Sequence, residues 1–164
     1  MTEVALKDFA DIVARVPQPE YVIEYGELLE SLGRSAEAKI QYETFLAEQK
    51  LFEANGVAQD TDPTLFQANH GSPIKAVEYG RSAIKLRPFI ETHDAYGWAL
   101  HQNGRNAEAL VEVRKAMQLG TKNALFYFHL GMIQSALGQN AAAVASLKQA
   151  LAINPHFSAL HVPQ

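Results

Sequence analysis

Glu91, His93 and Asp94 lie close together in the chain, and His70, His101, His129, His156 and His161 complete its set of imidazoles. A metal site or a general acid–base pair would have to be assembled from these groups. Their spacing argues against both. On a helix, Glu91 and Asp94 are three apart and share a face, while His93 points elsewhere. His93 and His101 are eight apart, two turns along one side, too far to share one metal without other ligands. No H-E-x-x-H motif occurs and there is no cysteine, so Cys-ligated zinc, thiolate catalysis and disulfides are excluded. Neither G-x-S-x-G nor a phosphate-cradling Gly-rich loop after a strand is found. Glu27 and Glu30 form a carboxylate pair, but no buried pocket is indicated that would shift their proton affinities. The histidines are expected at the surface or between helices, with no catalytic residue, no metal and no cofactor. An enzyme role would need domains outside these residues, to which this chain would be an accessory.

The broader composition narrows the partners. A chain of 164 residues can bury an apolar core without metals or disulfides. Its formal net charge of -4 and the absence of any Lys/Arg run argue against nucleic acid, which requires a clustered basic face. The longest apolar stretches, such as Ala124 to Leu130, fall far short of the ~20 residues that span a bilayer. Glu3, Lys7, Asp8 and Asp11 interrupt the beginning of the chain, unlike the apolar centre of a secretory signal. No membrane insertion is expected, and a cytoplasmic location is.

The elements that would position these side chains are announced by glycines. Gly33, Gly71, Gly104 and Gly138 are spaced by 38, 33 and 34 residues, with a second set seven residues earlier at Gly26, Gly97 and Gly131. Such a period marks a helical repeat. Gly33, Gly104 and Gly138 are each followed two places on by Ser35, Asn106 and Asn140. A left-handed Gly ends one helix, and the Ser or Asn caps the next. Turns this short force antiparallel pairs.

In the last copy, Tyr127, Leu130, Gly131, Ala143, Leu147, Ala150 and Pro155 occupy the positions of W-x2-L-G, A-x3-F-x2-A and Pro. These residues resemble the tetratricopeptide repeat family. The preceding copy has Tyr96, Gly97, Ala109, Val113 and Ala116, with Thr121 in the Pro position; an earlier one has Tyr25, Gly26, Leu29, Ala38, Tyr42 and Phe45. Gly and Ala at these places let the two helices of a hairpin approach closely. The stretch from Leu51 through Pro155 is also similar to a group of bacterial tetratricopeptide proteins of unassigned function. The resemblance implies an all-α fold, a right-handed α-solenoid of antiparallel helix hairpins.

The second copy departs from the pattern, with Asp60 in the aromatic position and Pro63 in that of Leu. Since an interior Pro costs ~3 kcal/mol, the expectation is a short helix starting at Asp62-Pro63 and ending near His70-Gly71, with Asp62 as cap. Lys50 to Thr61 becomes a long connection and a flexible site. Ser72 and Pro73 start the second helix of that copy, which carries Ala76, Ala83 and Pro88 in register. Ala5, Phe9, Ile12 and Pro17 mark the helix from Thr2 to Val16 as half a repeat. The expected division is a single domain over 1–164: this half repeat at 2–16, repeats at 19–50, 57–88 (degenerate), 90–121 and 124–155, and a truncated tail at 156–164. Uncapped ends would suit a piece of a longer array or a face covered by another molecule.

The same resemblance implies a concave groove lined by the first helices. It places Glu20, Ile23, Glu27 and Glu30 on that groove, then Leu65, Ala68 and Asn69, then Glu91, Asp94, Trp98, His101 and Gln102, then Leu125, Phe128, Met132 and Ser135. Glu27, Leu65, Glu91, Asp94, Trp98, His101, Leu125, Phe128 and Met132 are the expected partner-binding residues, with Trp98, Phe128 and Met132 of the types that anchor interfaces. The alternative is that Trp98 and Phe128 are core and the glutamates an ordinary solvated face. The positions matching the carboxylate clamp of chaperone-binding members are Thr61, Leu65, Ala95, Leu125 and His129. Only His129 can be basic, so that clamp is not expected. The function implied is a protein-interaction module holding a protein or peptide segment. The rival is a self-assembling repeat, as a homodimer or in contact with further repeats through its apolar ends.

Overall fold

The computed structural model describes residues 2–57 and 61–162. The described residues fold as helices α1 (Thr2–Arg15), α2 (Pro19–Ser31), α3 (Ser35–Ala54), α4 (Asp62–His70), α5 (Pro73–Leu86), α6 (Ile90–Gln102), α7 (Asn106–Ala116), α8 (Ala124–Ala136) and α9 (Asn140–Ile153). They belong to two compact units, one made of 1–58 with 158–164 and the other of 59–157.

Three of the turns share one solution. Gly33, Gly104 and Gly138 have φ of 74°, 77° and 73°. Gly33 N–H donates to Glu30 O, and Arg34 N–H reaches back to Leu29 O; the same two bonds recur at Gly104–Arg105 and Gly138–Gln139. This pairing satisfies the last carbonyls of the outgoing helix. It also corrects the capping expectation. Because Arg34, Arg105 and Gln139 supply the second bond, they take the N-cap places without side-chain caps, and Ser35, Asn106 and Asn140 are already the first helical residues. Arg34 and Arg105 instead fork onto Glu37 and Glu108, with N–O distances of 2.6–2.8 Å. Those hydrogen bonds hold both carboxyls below the usual carboxylate range. The second copy differs: Gly71 lies at φ −130°, and Ser72 is a true cap, its hydroxyl accepting from Lys75 N–H.

In the first unit, Leu6, Leu28, Leu29 and Ala38 form a buried cluster, flanked by Ala5, Phe9, Tyr25, Tyr42 and Ala159. Phe9 stacks on Tyr25 at 6.2 Å, tying α1 to α2. Gly26 lies beneath the Tyr42 ring, where a Cβ would clash. The Tyr42 hydroxyl donates to Glu30 at 2.6 Å, and burial together with this bond pushes its pKa well above the usual tyrosine value. The long connection expected from Lys50 is shorter than the sequence implied. Helix α3 continues to Ala54, since nothing from Lys50 to Ala54 breaks a helix and Gly56, at φ 67°, is the first residue that does. The flexible site expected around Asp60 lies outside the described residues.

Near the end of α3, Glu48 Oε2 is buried without a hydrogen-bond partner, and desolvation raises its carboxyl above the usual carboxylate range. A raised folded-state pKa means the folded protein binds this proton more tightly than the unfolded chain. The ionised group therefore lowers stability above its folded pKa, and the penalty is gone below its unfolded value. Glu48→Gln is expected to raise the melting temperature at pH 7, with the gain shrinking on acidification and absent below about pH 4. Paired thermal melts of the two proteins across that range check it.

The second unit has one core: Ala68, Ala76, Val77, Trp98, Ala99, Leu100, Ala109, Leu110, Val113 and Ile133. Each helix packs on the next, and α6 also packs on α4 and α8. Helix α4 begins at Asp62, with Thr61 as N-cap and Pro63 in the first turn, which is where Pro removes no needed N–H. Hairpin closeness rests on glycine again. A Cβ on Gly131 would stand 2.7 Å from Leu147 Cγ, and Gly97 is equally close under Val113.

Candidate partner-binding face

Helix α8 distributes its residues over three sides. Asn123 caps it, its Oδ1 accepting from the Leu125 and Phe126 N–H groups, which fixes where the first turn begins. Phe126, His129 and Ile133 are buried. Gly131 faces Leu147 of α9, and Gln134 Oε1 accepts from the Ser146 hydroxyl of the same helix. Leu125, Phe128 and Met132, at i, i+3 and i+7, remain half-exposed and form a single helix side. Phe128 and Met132, together with Leu65 of α4, pack over the outside of the buried core.

Beneath them lies a polar and aromatic network that joins the three first helices. His129 Nδ1–H donates to Asp94 Oδ2 at 2.8 Å, both side chains being almost fully buried. The Trp98 ring stacks on His129 with centroids 4.3 Å apart and planes 16° apart. Its Nε1–H donates to Asn69 Oδ1 at 2.7 Å. Phe128 lies 5.7 Å from Trp98 on one side and 5.3 Å from Phe157 on the other. The second oxygen of Asp94 makes no hydrogen bond.

The expected site residues therefore separate. Leu125, Phe128 and Met132 are half-exposed on α8 and Leu65 on α4, with α6 packed on both helices; Glu91 is exposed and His101 is half-buried, its Nδ1 2.6 Å from Asn106 Oδ1. Trp98 and Asp94 are each 2% exposed. Of the two roles open to Trp98, it takes the core one. Glu91 and Asp94 do not share a solvent-facing side, because Asp94 turns in to meet α8. Glu27 is half-buried on α2 in the other unit, where Glu20 is exposed and Glu30 accepts from Tyr42. His93 is occupied between helices, 2.7 Å from Glu112, which also meets Lys115 at 2.8 Å. Among the described residues no group of three His, Asp or Glu side chains is placed to hold a metal ion, and no helix is long and apolar enough to cross a membrane.

The sequence alone does not reveal the Asp94–His129 pair or the contact of Phe157 with Phe128. The signal for the first was available: the two residues are 35 apart, one repeat period, which puts a carboxylate and an imidazole at nearly matching places on successive first helices.

The architecture is an all-α solenoid of paired antiparallel helices, a helical-repeat scaffold. Residues 124–157 match the family model described as Tetratricopeptide repeat. No curated protein is similar to this chain. Among solved structures it is similar to a MamA RS-1 ArsTM double mutant, at 14% identity and a TM-score of 0.50, over 94% of this chain and 85% of that one. A second, a crystal structure of MamA protein, is also 14% identical, with a TM-score of 0.45 over 94% and 83% of the two chains. Identity this low carries the fold alone. These neighbours have a name of their own, unlike the proteins of unassigned function in the narrower resemblance drawn from Leu51 to Pro155.

Proposed function

We propose that the unit formed by α4 to α9 is a protein-interaction module that holds an apolar peptide segment across α4, α6 and α8. The observation that carries this reading is the half-exposed apolar side of α8, Leu125, Phe128 and Met132, with Leu65 half-exposed on α4; Leu65, Phe128 and Met132 rest against the buried core. Such a row offers shallow apolar contacts around one aromatic, the composition of an interface centre. The polar groups Glu91 and His101 on α6 would orient a segment and contribute less to its affinity.

Trp98→Ala is the wrong probe of this face, since it removes core. Leu125→Lys with Met132→Lys alters two half-exposed positions and leaves the buried network alone. Peptides selected from a random displayed library against the wild type are expected to share an apolar or aromatic anchor and to bind the double variant at least about tenfold more weakly, the scale of a hot-spot loss. Selected peptides that bind both proteins equally would move the site elsewhere. Matching circular dichroism and melting curves must accompany the comparison.

A further inference from the structure

We propose that Phe157 is an internal occupant of this face, a plug that an incoming peptide must displace; the inference rests on the reading of the face just given. After α9 ends at Ile153, Asn154 is extended and its Oδ1 accepts from the His156 N–H at 2.9 Å, so the chain turns sharply around Pro155. Because α8 and α9 are antiparallel, the end of α9 lies beside the beginning of α8. The turn sets Phe157 down against Phe128, at 5.3 Å and 45° between rings. Phe157 lies in no helix and is only half-buried. It extends the aromatic series that begins with Trp98 and Phe128. Its chemistry defines that of the competitor: an extended segment carrying an aromatic side chain.

A tethered occupant competes at an effective concentration in the millimolar range. If it fills the face about nine-tenths of the time, an external ligand sees its affinity reduced about tenfold. The probe is a synthetic peptide of residues 153–159, alongside its Phe157→Ala counterpart, titrated into wild-type and Phe157→Ala protein and followed by calorimetry and by the emission of Trp98, the only tryptophan. The expected result is saturable binding to the Phe157→Ala protein about tenfold tighter than to the wild type, with none for the peptide lacking the ring. Equal affinity for the two proteins, or no binding to the Phe157→Ala protein, overturns the plug. Should that variant melt well below the wild type, Phe157→Leu carries the same comparison. The library peptides separate the two readings. If they discriminate against Leu125→Lys/Met132→Lys but bind wild type and Phe157→Ala alike, the face stands and the plug falls. If they are indifferent to every variant, both fall.

Discussion

His129→Leu is expected to lower the free energy of unfolding by about 3 kcal/mol, the upper end of the range for a buried polar group left without its partner. The imidazole is 1% exposed and is the sole hydrogen-bond partner shown for Asp94, whose other oxygen already has none. Removing it leaves a buried carboxylate with no donor. Asp94→Leu should be costly for the mirror reason, leaving a buried ring N–H without an acceptor. The double variant decides between pairing and mere packing. With both polar groups replaced by apolar ones, no unpartnered polar group remains, and the loss should be well below the sum of the single losses. Urea unfolding of the four proteins, followed by circular dichroism, gives the coupling. Additive losses would mean that the two side chains contribute through packing alone.

Trp98→Ala is expected to cost about 3–5 kcal/mol, as for other fully buried large aromatics. The ring lies against His129, Phe128 and His101, so its removal opens a cavity bordered by three of its neighbours. It also strips Asn69 of the donor for its Oδ1. Trp98→Phe separates these effects, keeping most of the apolar volume but not the N–H. A loss of about 1–2 kcal/mol is expected there, the size of one buried hydrogen bond with some repacking. A Trp98→Ala protein with wild-type urea midpoint would show that the ring is peripheral. The measurement again needs circular dichroism, because the substitution removes the only tryptophan.

Features set by nearest neighbours in the chain could be read from the amino-acid sequence. The helix ends at Gly33, Gly104 and Gly138 need a left-handed residue, and only Gly supplies it without strain. Helix α4 starts at Asp62, beside Pro63 as expected, but Thr61 and not Asp62 takes the N-cap place. Features set by packing could not be read so well. Whether Asp94 and Trp98 face a partner or a neighbouring hairpin depends on how α6 is rolled against α8, and helical period alone places a residue on a side without saying what that side meets. The cap assignments at Ser35, Asn106 and Asn140 failed for a backbone reason: the bond from the residue after Gly advances the helix start by one position. Phe157 was hidden because its place follows from a turn at Asn154 and Pro155, outside any periodic pattern.

The packing of the α4–α9 unit has a consequence for how it forms. Each helix touches the next, and each first helix touches the one after it, so nearly all native contacts join segments close along the chain. Loop-closure entropy is then small at every step, and topology of this kind permits fast folding. Any hairpin can nucleate and recruit its neighbour. The Asp94–His129 and Trp98–Asn69 bonds, spanning 35 and 29 residues, then join the α5–α6 and α7–α8 packing in coupling successive hairpins into one cooperative transition.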